Sequence, residues 1–208
     1  MYYGEKFNSI SHLIGAVLAL VGFGALVTTA MYECSWRMLL SFSVFGATLV
    51  LMYTVSTLYH SFPMPRAKHI FKKLDHASIY ILIAGTYTPY MAVSLWQGAG
   101  PLMLIIIWSL AVVGLLMDFF IKKRMTALQV SIYLIMGWVC VFVFKSLSAA
   151  IAPAGINWLI AGGVSYTVGV IFYALDNLNK LDHAHGIWHL FVLFGSVSHF
   201  VSIIFYVR

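Results

Sequence analysis

Charge is what this 208-residue chain has least of: six acidic and twelve basic residues make up only 9% of it. With 62% hydrophobic residues and a mean hydropathy of +0.94, too little polar surface remains to cover a soluble domain of this length. Cysteine is also scarce. Cys34 falls in a short break and Cys140 in the middle of an apolar run, so neither a disulfide framework nor a cysteine-ligated zinc site is expected. No basic stripe lies beside stacking aromatics in a polar segment, which argues against nucleic acid as a partner. The first apolar run lacks the basic flank of a secretory signal, because Glu5 cancels Lys6. It therefore reads as a retained helix, although Thr28 and Ala30 form a weak small-x-small pattern. The last apolar run contains no lysine that could form a Schiff base, which disfavours a retinal protein.

What is present is a series of long apolar runs. A helix needs about 20 mostly apolar residues to cross a bilayer. Seven segments qualify: 11–31, 38–60, 76–95, 102–121, 127–147, 157–176 and 187–207. The breaks between them, such as YECSWR, FPMPRAKHIFKKLD and NLNKLDHAHG, are too short to form further domains. Residues 1–208 are therefore expected to be one all-α, seven-helix transmembrane domain. Trp36, Trp96, Trp158 and Tyr206 stand at ends of runs, where aromatic side chains suit the membrane interface. Lys6, Arg66, Lys68, Lys72, Lys73, Lys122, Lys123, Arg124 and Lys180 fall on one side, against Arg37, Lys145 and Arg208 on or toward the other. Basic loops stay cytoplasmic. The expected orientation is thus amino terminus inside and carboxyl terminus outside a plasma or inner membrane, opposite to that of G-protein-coupled receptors.

This topology sorts the polar residues by depth. Glu5, Asn8 and His12 enter the first span, Ser56 and His60 close the second, and Asp75 and His76 open the third. Asp118 and Asp176 close the fourth and sixth, and His185 and His189 open the seventh. All lie in the cytoplasmic half, and ionisable groups near hydrocarbon usually face a bundle interior or cavity. His185 and His189 are one helical turn apart and share a face, the spacing by which a helix presents two nitrogens to one zinc ion. His60 can supply a third, with Ser56 one turn deeper. Three histidines and a water make an open site of the catalytic type, where the metal lowers the pKa of its water to about 7. Asp75 would orient that water or take its proton. The pair HxxxH alone also fits interfacial histidines without a metal. His199 lies about 21 Å beyond His185 along a helix, so a hydrogen-bonded packing role is expected there. His69 and His183 read as solvated loop residues, Asp118 and Asp176 as span ends. Pro89 is expected to kink the third span.

The segments EKFNSISH (5–12), STLYHS (56–61), LDHASIYILIAGTYTPY (74–90) and HGIWHLFVLFGSVSHF (185–200) carry a resemblance. The chain resembles the bacterial hemolysin III family, within the superfamily of progestin and adipoQ (adiponectin) receptors. That resemblance implies a single zinc ion on His60, His185 and His189, with Asp75 contacting the zinc-bound water. Glu5, Asn8 and His12 match the first family motif, to which no chemistry is assigned. The absence of the long amino-terminal extension and extracellular tail of hormone-receptor members argues against hormone reception. The leading expectation is a zinc-dependent hydrolase of a lipid amide or ester, ceramidase-like, with Ser56 supporting the transition-state oxygen or lying behind the site. Its partners would be membrane lipids; no protein partner follows from the sequence. The alternatives are a pore-forming cytolysin, which lacks a polar stripe along several spans, and a membrane sensor with a structural zinc.

Overall fold

The computed structural model of the chain describes residues 4–120, 126–178 and 180–208. Among these, all regular structure is helical: α1 Lys6–Tyr32, α2 Trp36–Ser61, α3 Pro65–Pro89, α4 Gly100–Phe120, α5 Thr126–Trp138, α6 Phe144–Ala150, α7 Pro153–Asn177 and α8 Ala184–Tyr206. The starts follow local chemistry. Ser35 Oγ accepts the Met38 N–H at 3.3 Å to cap α2, and Pro65 and Pro153 occupy the first turns of α3 and α7.

Among the described residues, six stretches are long and apolar enough to cross a membrane: α1, α2, α4, Ala127–Ala150, α7 and α8. Their outer faces expose residues such as Leu18, Val21, Ile105, Val113 and Phe194. In water so many exposed apolar side chains would be an aggregation surface, whereas hydrocarbon accepts them. The protein is a multi-pass membrane protein. The helix that holds most of the third expected span, α3, is not among those six stretches, and it starts earlier than expected. The basic stretch read as a break is helical from Pro65 onward, so Arg66, Lys68, Lys72, Lys73 and the exposed His69 ride on the first turns of α3. Lysine and arginine are good helix formers once a proline has set the first turn. Of the basic residues used to orient the chain, Lys122, Lys123 and Arg124 lie outside the described residues.

Two helices deviate in mid-course. After Pro89, α3 widens into a π-helical turn, Tyr90–Ser94, in which the Leu95 N–H reaches back to the Tyr90 carbonyl at 3.0 Å. The fifth expected span is interrupted by a 3₁₀ segment, Val139–Val143. The Tyr87 hydroxyl causes this break: it donates to Met136 O at 2.8 Å and accepts the Cys140 N–H at 2.8 Å. Met136 and Cys140 are the i, i+4 pair that a continuous helix would bond to each other. A side chain inserted into that ladder is a recognised cause of helix distortion.

The interior is packed around Phe42, Phe45, Tyr53, Tyr80, Ile107 and Ile203. The most extensive helix pairings are α1 with α2, α2 with α3, and α7 with α8, and α1 also crosses α8. Close approach needs small residues: a Cβ on Gly15 would collide with the Tyr53 ring.

Candidate metal centre

The start of α1, the end of α2, the end of α7 and the start of α8 meet at one end of the bundle. Ser9 and Ser61 join α1 to α2 through a 2.6 Å hydroxyl contact. Gly186 lets α8 approach α1, since a Cβ there would run into the Phe7 ring and Asn8. The left-handed backbone of His183, an exposed residue at φ 60°, turns the chain into α8. His185 and His189 then follow on one face, opposite His60.

His60, His185 and His189 each direct a nitrogen to one point, with the ligand atoms all within 4.8 Å of one another. The other nitrogen of each ring is already committed. His60 Nδ1 lies 2.6 Å from Glu5 Oε2, His185 Nδ1 lies 3.0 Å from Asp176 Oδ2, and His189 Nδ1 lies 3.3 Å from the Asn8 carbonyl oxygen. Carboxylates and carbonyls only accept, so each Nδ1 carries the proton and donates it. The three Nε2 atoms are left as bare acceptors, buried and without hydrogen-bond partners. Three convergent lone pairs with nothing to bond are costly as they stand. They match the imidazole donor set that a divalent metal takes, and their oxygen partners are of the kind that orient such ligands. The cluster can hold a metal ion.

Glu5 is the hub behind it. Its Oε2 also accepts from Asn8 Nδ2 at 3.0 Å, and its Oε1 from Lys68 Nζ at 2.9 Å. Burial pushes its carboxyl pKa up, but the hydrogen bonds from His60, Asn8 and Lys68 outweigh that and hold it well below the ordinary carboxylate range. His12 lies beneath the cluster. Its ring stacks on His189 with centroids 3.6 Å apart, and its Nδ1 is 2.7 Å from Ser56 Oγ. Asp75 is buried and lines a cavity of about 370 Å³ together with Glu5, Asn8, His60, His76 and His185. Ser56, His12 and His189 do not line it, so the Ser56 hydroxyl faces His12 from behind the cluster.

Asp118 and Asp176, expected as span ends, do close α4 and α7 and are hydrogen-bonded as well. Asp176 accepts from His185 Nδ1 at 3.0 Å; its place at the depth of the histidines is the signal for it. Asp118 accepts from Gln129 Nε2, whose Oε1 is 3.2 Å from His76 Nδ1. His199 is separated from the cluster and bonds the Leu159 carbonyl at 3.2 Å. Cys34 and Cys140 are both free thiols.

The family described as haemolysin-III related matches residues 2–200. The chain belongs to the haemolysin-III family. It is 40% identical over 203 residues to a hemolysin-3 homolog of Bacillus subtilis (strain 168), covering 97% of this chain and 93% of that protein. To Hemolysin-3 of Bacillus cereus it is 39% identical, covering 98% and 91%. A more distant relative of this haemolysin-III member is the adiponectin receptor protein of Drosophila melanogaster, 21% identical over 96% of this chain and 50% of that one. No solved structure matches it.

Proposed function

We propose that this haemolysin-III family member is a zinc-dependent hydrolase of a lipid amide or ester, acting in membrane lipid homeostasis. One observation carries the reading: three buried, partnerless Nε2 atoms converge beside a polar cavity that Asp75 also lines. His60, His185 and His189 would hold the zinc, which when bound supplies a Lewis acid that activates water and polarises a carbonyl. The Asp75 carboxylate takes the proton given up by water and returns it to the leaving amine or alcohol. Ser56 supports the site through His12. The apolar surroundings suit a substrate arriving from the bilayer. The same reading gives seven spans in the cell membrane, with the amino terminus and the metal site on the cytoplasmic side and the carboxyl terminus outside, in keeping with the bias of basic residues.

The test is hydrolysis of a panel of lipid amides and esters by zinc-loaded protein and by Asp75→Asn. Turnover in the wild type that falls at least a hundredfold in the variant is expected; equal rates would refute catalysis. The competing reading is a structural zinc, favoured by the fact that the three ligands and their oxygen partners come from α1, α2, α7 and α8. A metal there would tie four helices together. Equal rates in that panel, with a lower melting temperature after zinc removal, would establish the clamp.

A further inference from the structure

Helix α3 changes surroundings along its length. From Asp75 to its end none of its residues is exposed, because it runs inside the bundle. In its first turns Pro65, Arg66, His69, Ile70, Lys73 and Leu74 are all exposed. The helical repeat sorts this opening stretch into two faces. Lys68, Lys72 and Asp75 fall on the inner one. There Lys68 Nζ bonds Glu5 Oε1 at 2.9 Å, and Lys72 and Asp75 line the cavity of the metal centre. Arg66 and Lys73 stand two turns apart on the outer face, about 10 Å along the axis, with His69 and Ile70 between them. The Phe71 ring stacks on Phe62 with centroids 5.5 Å apart, which holds the stretch against the end of α2.

The outer face carries positive charge without a counter-charge of its own. Among the described residues, neither Arg66 nor Lys73 has an ion-pair partner. The acidic residues of the chain are committed elsewhere. Glu5, Asp176 and Glu33 pair with Lys68, His185 and Arg208. Asp118 accepts from Gln129, Asp75 is buried, and the exposed Asp182 pairs with neither cation. The same face is also apolar: Ile70 is 57% and Leu74 39% exposed. Cations beside exposed apolar side chains, at the end of spanning helices, make a surface suited to the membrane interface. A soluble anion would answer the charge and leave Ile70 and Leu74 in water. A lipid answers both.

We propose that the outer face of the first turns of α3 docks anionic phospholipid. Headgroup phosphates sit on Arg66 and Lys73, His69 offers a further donor between them, and acyl chains pack on Ile70 and Leu74. The two-turn spacing leaves room for a phosphate at each cation. This surface is separate from the metal centre and needs no hydrolysis.

The experiment places the full chain in nanodiscs of equal parts phosphatidylglycerol and phosphatidylcholine. Native mass spectrometry then counts the lipids retained on the released protein. Phosphatidylglycerol should be retained in preference. Arg66→Gln combined with Lys73→Gln should lower that preference about thirtyfold, roughly fivefold for each cation near an anionic surface. Both side chains are exposed, so helicity should not change. Lys145→Gln, which removes an exposed cation from α6, should leave the preference intact, and soluble glycerol phosphate should not displace the lipid. Equal retention of the two lipids by the wild type would overturn the proposal and leave an acidic protein segment as the partner of this face. A preference that the double substitution changes less than twofold, or that Lys145→Gln lowers as much, would also overturn it. Displacement by glycerol phosphate would do the same, by assigning the surface to a soluble anion.

Discussion

Replacing Glu5 by glutamine removes one charge and leaves the shape of the side chain. In the folded protein the carboxylate takes three hydrogen bonds, from His60 Nδ1 at 2.6 Å, Asn8 Nδ2 at 3.0 Å and Lys68 Nζ at 2.9 Å. Only the first acts directly on a histidine of the candidate metal centre. It fixes the His60 tautomer and increases the electron density that Nε2 can offer. Loss of such a partner typically lowers metal affinity 10- to 100-fold, which corresponds to about 1.4–2.7 kcal/mol. The His60 side chain is 2% exposed and Glu5 22%, whereas the corresponding pair His185 and Asp176 is 22% and 38% exposed at 3.0 Å. Solvent weakens the second pair more. Glu5→Gln should therefore approach the upper end of the range and Asp176→Asn the lower. Zinc competition against a chromophoric chelator, on purified protein checked for helicity, measures both. Affinity unchanged within twofold in Glu5→Gln, or a larger loss in Asp176→Asn, would refute the reasoning.

Gly186→Val should separate the start of α8 from Phe7 and Asn8, costing about 1–3 kcal/mol of stability and weakening metal binding; thermal unfolding and chelator competition read the two effects. Gly186→Ala should cost less, because the Phe7 ring is 53% exposed and can swing aside. Tyr87→Phe should close the α5 ladder, since Met136 O and Cys140 N–H are left to bond each other. The expected cost is at most about 1.5 kcal/mol, with slower hydrogen exchange at the Cys140 amide; faster exchange there would contradict this.

The apolar runs and the HxxxH spacing made helices and two of the three clustered histidines readable, because a bilayer demands length and a helix puts i and i+4 on one face. His60 joined them through topology alone. Glu5 and Asp176 could be placed at the depth of the histidines, but which oxygen pairs with which ring could not be read. Glu5 reaches His60 only because α1 lies against α2, and Asp176 reaches His185 only through the turn from α7 into α8. The α5 break also escaped the sequence: no proline marks it, and its cause, Tyr87, lies about 50 residues away on α3. The start of α3 lies ahead of the apolar run because its clustered lysines, which resemble a loop in composition, extend a helix readily once Pro65 begins it.

The most direct measurement of the metal centre is elemental analysis of the purified protein combined with zinc-edge X-ray absorption. One zinc per chain is expected, with three imidazole nitrogens at about 2.0–2.1 Å. His60→Ala, His185→Ala and His189→Ala should each lose the ion. A folded wild-type protein that takes up no zinc, or zinc content that survives all three substitutions, would contradict the site.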